Sequence, residues 1–105
     1  INAFNMDFMF NGATSFNQNI DSWNVSSVED MQAMFANCPI FNSPLSSWNT
    51  SNVTQMNSMF SNATSFNKDI SNWCVELISS EPTNFAFNAP LDNLPNFKPN
   101  WGAPC

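Results

Sequence analysis

The chain contains no histidine, no arginine and no tyrosine, and its only cations are Lys68 and Lys98. Without imidazole or phenol there is no ready general base and no phenolic acid. Without guanidinium there is no clamp for phosphate or carboxylate. Ser-His-Asp and Cys-His nucleophile schemes are excluded by composition, so the expectation is a protein that is not an enzyme. A formal net charge of -6 leaves no basic stripe to displace counterions from nucleic acid. The same deficit argues against docking on anionic lipid. No apolar run approaches the length of a membrane span, and no signal peptide is visible, so direct membrane insertion is not expected. Glycines number two and cysteines three. With three cysteines, one thiol is left odd if two pair.

What is present is periodicity. Phe10, Phe35, Phe60 and Phe85 stand 25 residues apart. Met6, Met31 and Met56 keep the same interval, as do Met9, Met34 and Met59; Phe16, Phe41 and Phe66; Ile20, Leu45 and Ile70; and Trp23, Trp48 and Trp73. Val28, Val53 and Ile78 complete the set. A fixed period in this range signals one supersecondary unit laid on copies of itself, each burying a face it could not bury alone. Ala3 falls in the column of Val28 and Val53, so the strand-like part of its unit would lie upstream, and the chain reads as part of a longer array.

Within one unit, Ile20, Trp23, Val25 and Val28 alternate in a way that predicts a short strand. Val28, Met31, Met34, Phe35 and Cys38 then follow helical spacing. Ser27 before Asp30, and Asn52 before Gln55, read as helix N-caps with capping-box partners. Pro82 suits a first helical turn. Gly12, Asn37 and Asn62 share one column, and Gly and Asn are the residues that tolerate a left-handed C-cap. The helix would span two or three turns, marginal without its neighbours. Asn17, Asn42 and Asn67 each follow a column phenylalanine and predict a ladder of side chains bonding neighbouring backbone.

The offsets of Ile20, Trp23, Val25 and Val28 match the core of leucine-rich repeats. The whole unit, Met31-x-x-Met34-Phe35…Phe41-Asn42-x-x-Leu45-x-x-Trp48-x-Thr50-Ser51-x-Val53, resembles the repeat of the BspA-like leucine-rich-repeat surface proteins. Thr50 departs from the pattern by replacing an inward Val, and Pro44 occupies a turn position that is often acidic in that family. The resemblance implies a secreted or cell-surface bacterial protein with adhesive or host-binding roles, and brings no catalytic residue. The expected fold is an α/β repeat solenoid, leucine-rich-repeat-like, with one short parallel strand and one short helix per 25-residue coil. Residues 1–80 would form about three stacked repeats, and residues 81–105 a degenerate repeat and C-terminal cap.

Phe85 keeps the interval in that last stretch, with Asn84 in place of Met and Leu91 in place of Phe. Pro95 and Lys98 stand where Ile and Trp would be, and prolines at 82, 90, 95, 99 and 104 suit a wrapped tail. Cys74 falls in the outward column of Asn24 and Asn49, and Cys105 ends the sequence. We expect these two to pair, clamping the cap, in an oxidising compartment. Cys38, in a column otherwise held by Ala13 and Ala63, is then a free buried thiol.

The methionines fit an apolar stripe beside phenylalanine better than a copper site. No metal site is expected. The acidic residues form neither an EF-hand run nor a calcium β-roll repeat, and calcium between turns is the one cofactor that turn carbonyls and Asn oxygens leave open. Four glycosylation sequons start at Asn24, Asn49, Asn52 and Asn62, all within structural columns. The candidate binding face is the set of outward strand positions, Ser22, Asn24, Ser26, Ser47, Asn49, Ser51, Asn72 and Glu76. Small, polar and nearly uncharged, they suit glycan hydroxyls or a flat protein surface with bridging water. The expected function is a non-catalytic, surface-displayed module that binds protein or carbohydrate. The alternative is a structural stalk or spacer in a larger secreted protein.

Overall fold

A computed structural model describes residues 4–105. Ala3, placed in the column of Val28 and Val53, lies outside the described residues. Main-chain hydrogen bonds join successive units directly. Met6, Phe8, Phe10 and Gly12 donate their N–H groups to the carbonyls of Asp30, Gln32, Met34 and Ala36 at 2.8 to 2.9 Å. Met31, Ala33, Phe35 and Asn37 donate in the same way to Gln55, Asn57, Met59 and Ser61. The residues between them close local turns: Met9 donates to Met6 at 3.3 Å, Asn11 to Phe8 at 3.1 Å and Ala13 to Phe10 at 2.9 Å. N–H groups thus alternate, one to the next coil and one to the turn it sits in.

This pattern overturns the expected α/β solenoid with a leucine-rich-repeat-like strand and helix in each coil. Among the described residues there is no α-helix and no sheet. Regular structure amounts to two parallel bridges, Asn5 with Asp30 and Asp30 with Gln55, and two 3₁₀ turns, Pro90–Asn93 and Pro95–Phe97. The physical reason lies in the spacing. Consecutive four-residue turns bring their first and fourth residues close together, so they impose the same interval of three that a helix would. An α-helix would also spend its N–H groups internally, leaving nothing to bind the next coil. The capping reading fails with the helix: Asp30 accepts from Gln32 N at 2.9 Å, and Asn52 donates through Nδ2 to Ser26 O at 2.6 Å. Pro82 likewise starts a turn, not a helix.

The expected strand at Ile20–Val28 is also turned. Trp23 donates to Ile20 and Val28 to Val25, both at 3.0 Å. Coil-to-coil bonding there passes to side chains. The Trp48 indole Nε1 donates to Ile20 O at 3.0 Å, and the Trp73 indole to Leu45 O at 2.9 Å.

The Gly/Asn column follows backbone geometry, though of a turn. Gly12, Asn37 and Asn62 have φ of 77, 58 and 60°, each at the third place of a turn. Phe8, Ala33 and Ser58 share a second positive-φ column. Asn17 Oδ1 accepts from Asn42 N at 2.8 Å, and Asn42 Oδ1 from Asn67 N at 3.1 Å, one coil to the next.

The turns point large apolar side chains inward. Phe10, Phe35 and Phe60 stack with centroids 5.7 and 5.5 Å apart, and Phe16, Phe41 and Phe66 at 5.5 and 5.6 Å. The two columns pair within each coil at 4.0 to 4.3 Å. Such pairs add about 0.5–1.5 kcal/mol each beyond burial alone. Met31, Met34, Met56 and Met59 are fully buried beside them. The molecule measures 33 × 32 × 21 Å, a compact body with no marked long axis.

In the last coil the register slips. Ser58, Phe60 and Asn62 donate to Thr83, Phe85 and Phe87, a step of 25 where the earlier coils step by 24. Phe85 N bonds Pro82 O, as Met59 N bonds Met56 O, so Phe85 stands in the Met59 column and Ala86 in that of Phe60. Phe85 therefore does not continue the phenylalanine column. It meets Phe60 edge-on at 85°, where Phe35 and Phe60 lie within 9° of parallel. The extra residue falls between Ile78 and Pro82, because Ile78 still closes the turn that Val53 closes.

Ile70 N donates to Phe97 O at 3.0 Å and Leu91 N to Phe66 O at 3.2 Å, and three further ties hold the tail. Cys74 and Cys105 form a disulfide with Cα atoms 5.6 Å apart, closing a span of 31 residues. Gly102 N donates to Val75 O at 3.1 Å. With φ of 73°, Gly102 lies so near Ser79 that a Cβ would meet its backbone at 3.2 Å. Lys98 bridges Glu81 at 3.0 Å and Asp92 at 2.9 Å.

Candidate functional site

The turn sequence that buries Trp48, Thr50 and Val53 leaves the residues between them outside. Ser22, Asn24, Ser47, Asn49, Asn72 and Glu76 are exposed, and Ser26 and Ser51 are half-buried. Asn24 Oδ1 accepts from Ser26 N at 3.1 Å and Ser26 Oγ at 2.6 Å. Asn49 repeats this with Ser51 at 3.1 and 2.7 Å. Both amides spend their oxygen locally, and neither Nδ2 has a hydrogen-bond partner among the described residues. Ser47 donates N and Oγ to the Asp21 carboxylate at 3.0 and 2.9 Å, and Asn72 Nδ2 donates to Ser46 O at 2.8 Å. In the third coil the Asn24 and Asn49 position is Cys74, half-buried and bonded to Cys105.

Thr50, the departure from an inward Val, is fully buried and donates Oγ1 to Cys74 O at 2.8 Å. It ties the second coil to the disulfide-bearing one. Cys38 is a free, fully buried thiol whose Sγ donates to Phe10 O at 2.9 Å. Burial raises its pKa above the usual thiol value, more than the nearby Ala13 and Gly12 N–H groups lower it. A thiol so held is a poor nucleophile.

The carboxylates are dispersed among separate roles. Asp69 is fully exposed and accepts from Ser71, which lowers its pKa. Asp21 holds Ser47, Asp30 holds Gln32, and Glu81 and Asp92 hold Lys98. Glu76 lies within 4.8 Å of the Cys74 and Cys105 sulfurs, but those are spent on each other. Concavities beside the face are open: one of about 370 Å³ is lined by Pro44, Ser46, Lys68, Asp69, Ser71 and Asn72. Another, of about 360 Å³, runs from Asn72 to Cys105 along the disulfide.

Sequence reasoning missed a second asparagine line. Asn37 Nδ2 donates to Asn11 Oδ1, Asn62 Nδ2 to Asn37 Oδ1, and Asn88 Nδ2 to Asn62 Oδ1, each at 3.0 Å. Its signal was legible: Phe87-Asn88 stands 26 residues after Ser61-Asn62, announcing the inserted residue.

No curated protein matches this chain, and no solved structure does. A family model described as Mycoplasma protein of unknown function, DUF285, matches residues 1–96. Since the match spans nearly all of the repeated coils and much of the cap, the chain belongs to this family, the BspA-like repeat family.

Proposed function

We propose that the chain is a non-catalytic binding module displayed at a cell surface, presenting its Ser/Asn face to protein or carbohydrate. The supporting observation is the repeated amide geometry. Asn24 and Asn49 occupy equivalent exposed places one repeat apart, each with its amide oxygen held by its own serine and its Nδ2 without a hydrogen-bond partner among the described residues. Fixed donors lose little entropy on meeting hydroxyl or carbonyl acceptors. The disulfide supports secretion into an oxidising compartment. Enzymatic work has little to draw on, since the carboxylates are dispersed and the free thiol is buried.

A spacer role in a larger secreted protein is the second reading, favoured by the share of outward polar groups already bonded within the coils. Ser47 and Asn72 both spend donors on neighbouring coils. A glycan array and a surface-protein pull-down, each run with wild type and Asn49→Arg, separate the two. Binding lost in Asn49→Arg supports the face. Binding unchanged by Asn49→Arg removes it, and no binding by either protein favours the spacer.

A further inference from the structure

The fold treats the four Asn-x-Ser/Thr sequons in two different ways. Asn24-Val25-Ser26 and Asn49-Thr50-Ser51 are alike. Each asparagine is exposed, and each amide oxygen accepts from the backbone N–H and the hydroxyl of its own serine. Each Nδ2 is without a partner among the described residues. Asn49 keeps its exposure with a coil on either side, since Asn52 reaches back to Ser26 O and Thr50 forward to Cys74 O. Its accessibility therefore owes nothing to an end of the stack. In the other two sequons the amide nitrogen and the hydroxyl are both committed elsewhere. Asn52 Nδ2 donates to Ser26 O at 2.6 Å, and the Thr54 hydroxyl to Glu29 O at 3.2 Å. Asn62 is half-buried; its Nδ2 donates to Asn37 Oδ1 at 3.0 Å, and the Thr64 hydroxyl to Pro39 O at 3.4 Å.

We propose that Asn24 and Asn49 are attachment sites for asparagine-linked oligosaccharide, and that the fold bars Asn52 and Asn62 from the same modification. The sugar comes from a lipid-diphosphate donor, through an oligosaccharyltransferase that reads the asparagine and the hydroxyl two residues on. Nδ2 attacks the anomeric carbon, and the N–C bond forms as the C–O bond to the diphosphate breaks. The lipid diphosphate leaves with that electron pair, and Nδ2 gives up one proton to a base of the transferase. The product amide keeps its carbonyl oxygen, so the bonds from Ser26 and Ser51 survive and hold each linkage in place. At Asn62 the same reaction needs the line between Asn37 and Asn88 opened, and at Asn52 the bond to Ser26 broken. The inference goes beyond the binding reading, because here the face carries sugar of its own. It shares with that reading only the secretory route that the Cys74–Cys105 bond supports.

The test incubates the oxidised, folded chain with a purified oligosaccharyltransferase that accepts the plain sequon, together with its lipid-diphosphate oligosaccharide. Intact mass counts the glycans, and enzymatic release in heavy-oxygen water marks each attachment site for peptide mapping. Each rate is divided by that of a short peptide carrying the same sequon, which removes the transferase's own preference between Ser and Thr. On this scale Asn24 and Asn49 should react about ten-fold faster than Asn52 or Asn62, because reaching either of those nitrogens first costs a hydrogen bond. Asn24→Gln combined with Asn49→Gln, both at exposed positions, should leave the folded chain at its bare mass. Equal normalised rates at all four sites overturn the proposal. So does a folded wild type that gains no glycan while the peptides do, or a double variant that is glycosylated as fast as wild type. Mass reads the attachment whether or not the face binds a partner, so this result stands apart from the glycan array and the pull-down.

Discussion

The first three coils and the last are built from the same repeat and cohere by different means. Between Met6 and Ala63 each coil offers donors at alternate residues, and phenylalanine stacks on phenylalanine within 13° of parallel. After Ile78 one added residue moves Ala86 under Phe60 and turns Phe85 edge-on. Trp101 then meets Phe85 at 81° and closes the aromatic core. What the last coil loses in stacking is replaced by a disulfide, a three-membered charge cluster and a close glycine contact. Periodic packing serves as long as the period holds; where it slips, the chain needs local ties.

The sharpest break in the comparison comes from the stacked region. Phe35→Ala should cost about 3–5 kcal/mol, the range for emptying a fully buried aromatic site. Phe87→Ala, in the last coil and 57% exposed, should stay within about 0.5 kcal/mol of wild type. Urea unfolding of both variants measures the difference, and equal costs would deny that the stack differs from the edge.

Next in size is the clamp. Cys105→Ser opens a span of 31 residues, and in the loop-entropy picture this costs about 3–4 kcal/mol. Hydrogen exchange should show the loss concentrated in Val75 to Ala103, with Met31 to Phe60 little changed. Uniform loss across all coils would mean that the cap and the stack are one cooperative unit.

The sequence revealed the period, the inward columns and the cysteine pair because each is a matter of which side chain recurs where. It concealed the backbone. Met31, Met34 and Cys38 have helical spacing, yet the interval of three belongs to consecutive turns, and apolar spacing alone cannot tell the two apart. The Gly12, Asn37 and Asn62 column carried the right physics, positive φ, inside the wrong element. Ala33 at φ 53° and Ser58 at 59° gave no warning, because neither residue type advertises that geometry. On the candidate face, exposure was legible, but the locking of Asn24 by Ser26 needed coordinates.

The positive-φ column gives an intermediate effect. Asn62→Val adds a β-branched side chain at φ 60° and removes a rung bonded to both Asn37 and Asn88. A cost of about 2–3 kcal/mol follows from backbone strain and the lost bonds together. Asn62→Gly keeps the backbone and should cost roughly half that, about 1 kcal/mol. Thermal unfolding that ranks the two alike would detach the column from φ.

The smallest effect distinguishes the cap from the stack by pH. Burial pulls the Lys98 pKa down, but hydrogen bonds and charge from Asp92 and Glu81 outweigh it, so the folded value lies above the ordinary 10.5. A pKa raised on folding means that the native state holds the proton more tightly. Its stabilisation is complete below the unfolded value near 10.5 and fades as pH rises through the folded one. The carboxylates are 40 and 46% exposed, so solvent limits the pair of bridges to about 0.5–1 kcal/mol. Lys98→Met should therefore lose that much at pH values near neutral, with the gap from wild type closing only at pH above about 10.5. Cys38 also titrates at alkaline pH, but it does so in both proteins and cancels in the difference. Urea midpoints for the two proteins on either side of the lysine pKa decide the point, and a gap independent of pH would assign Lys98 to packing and not to charge.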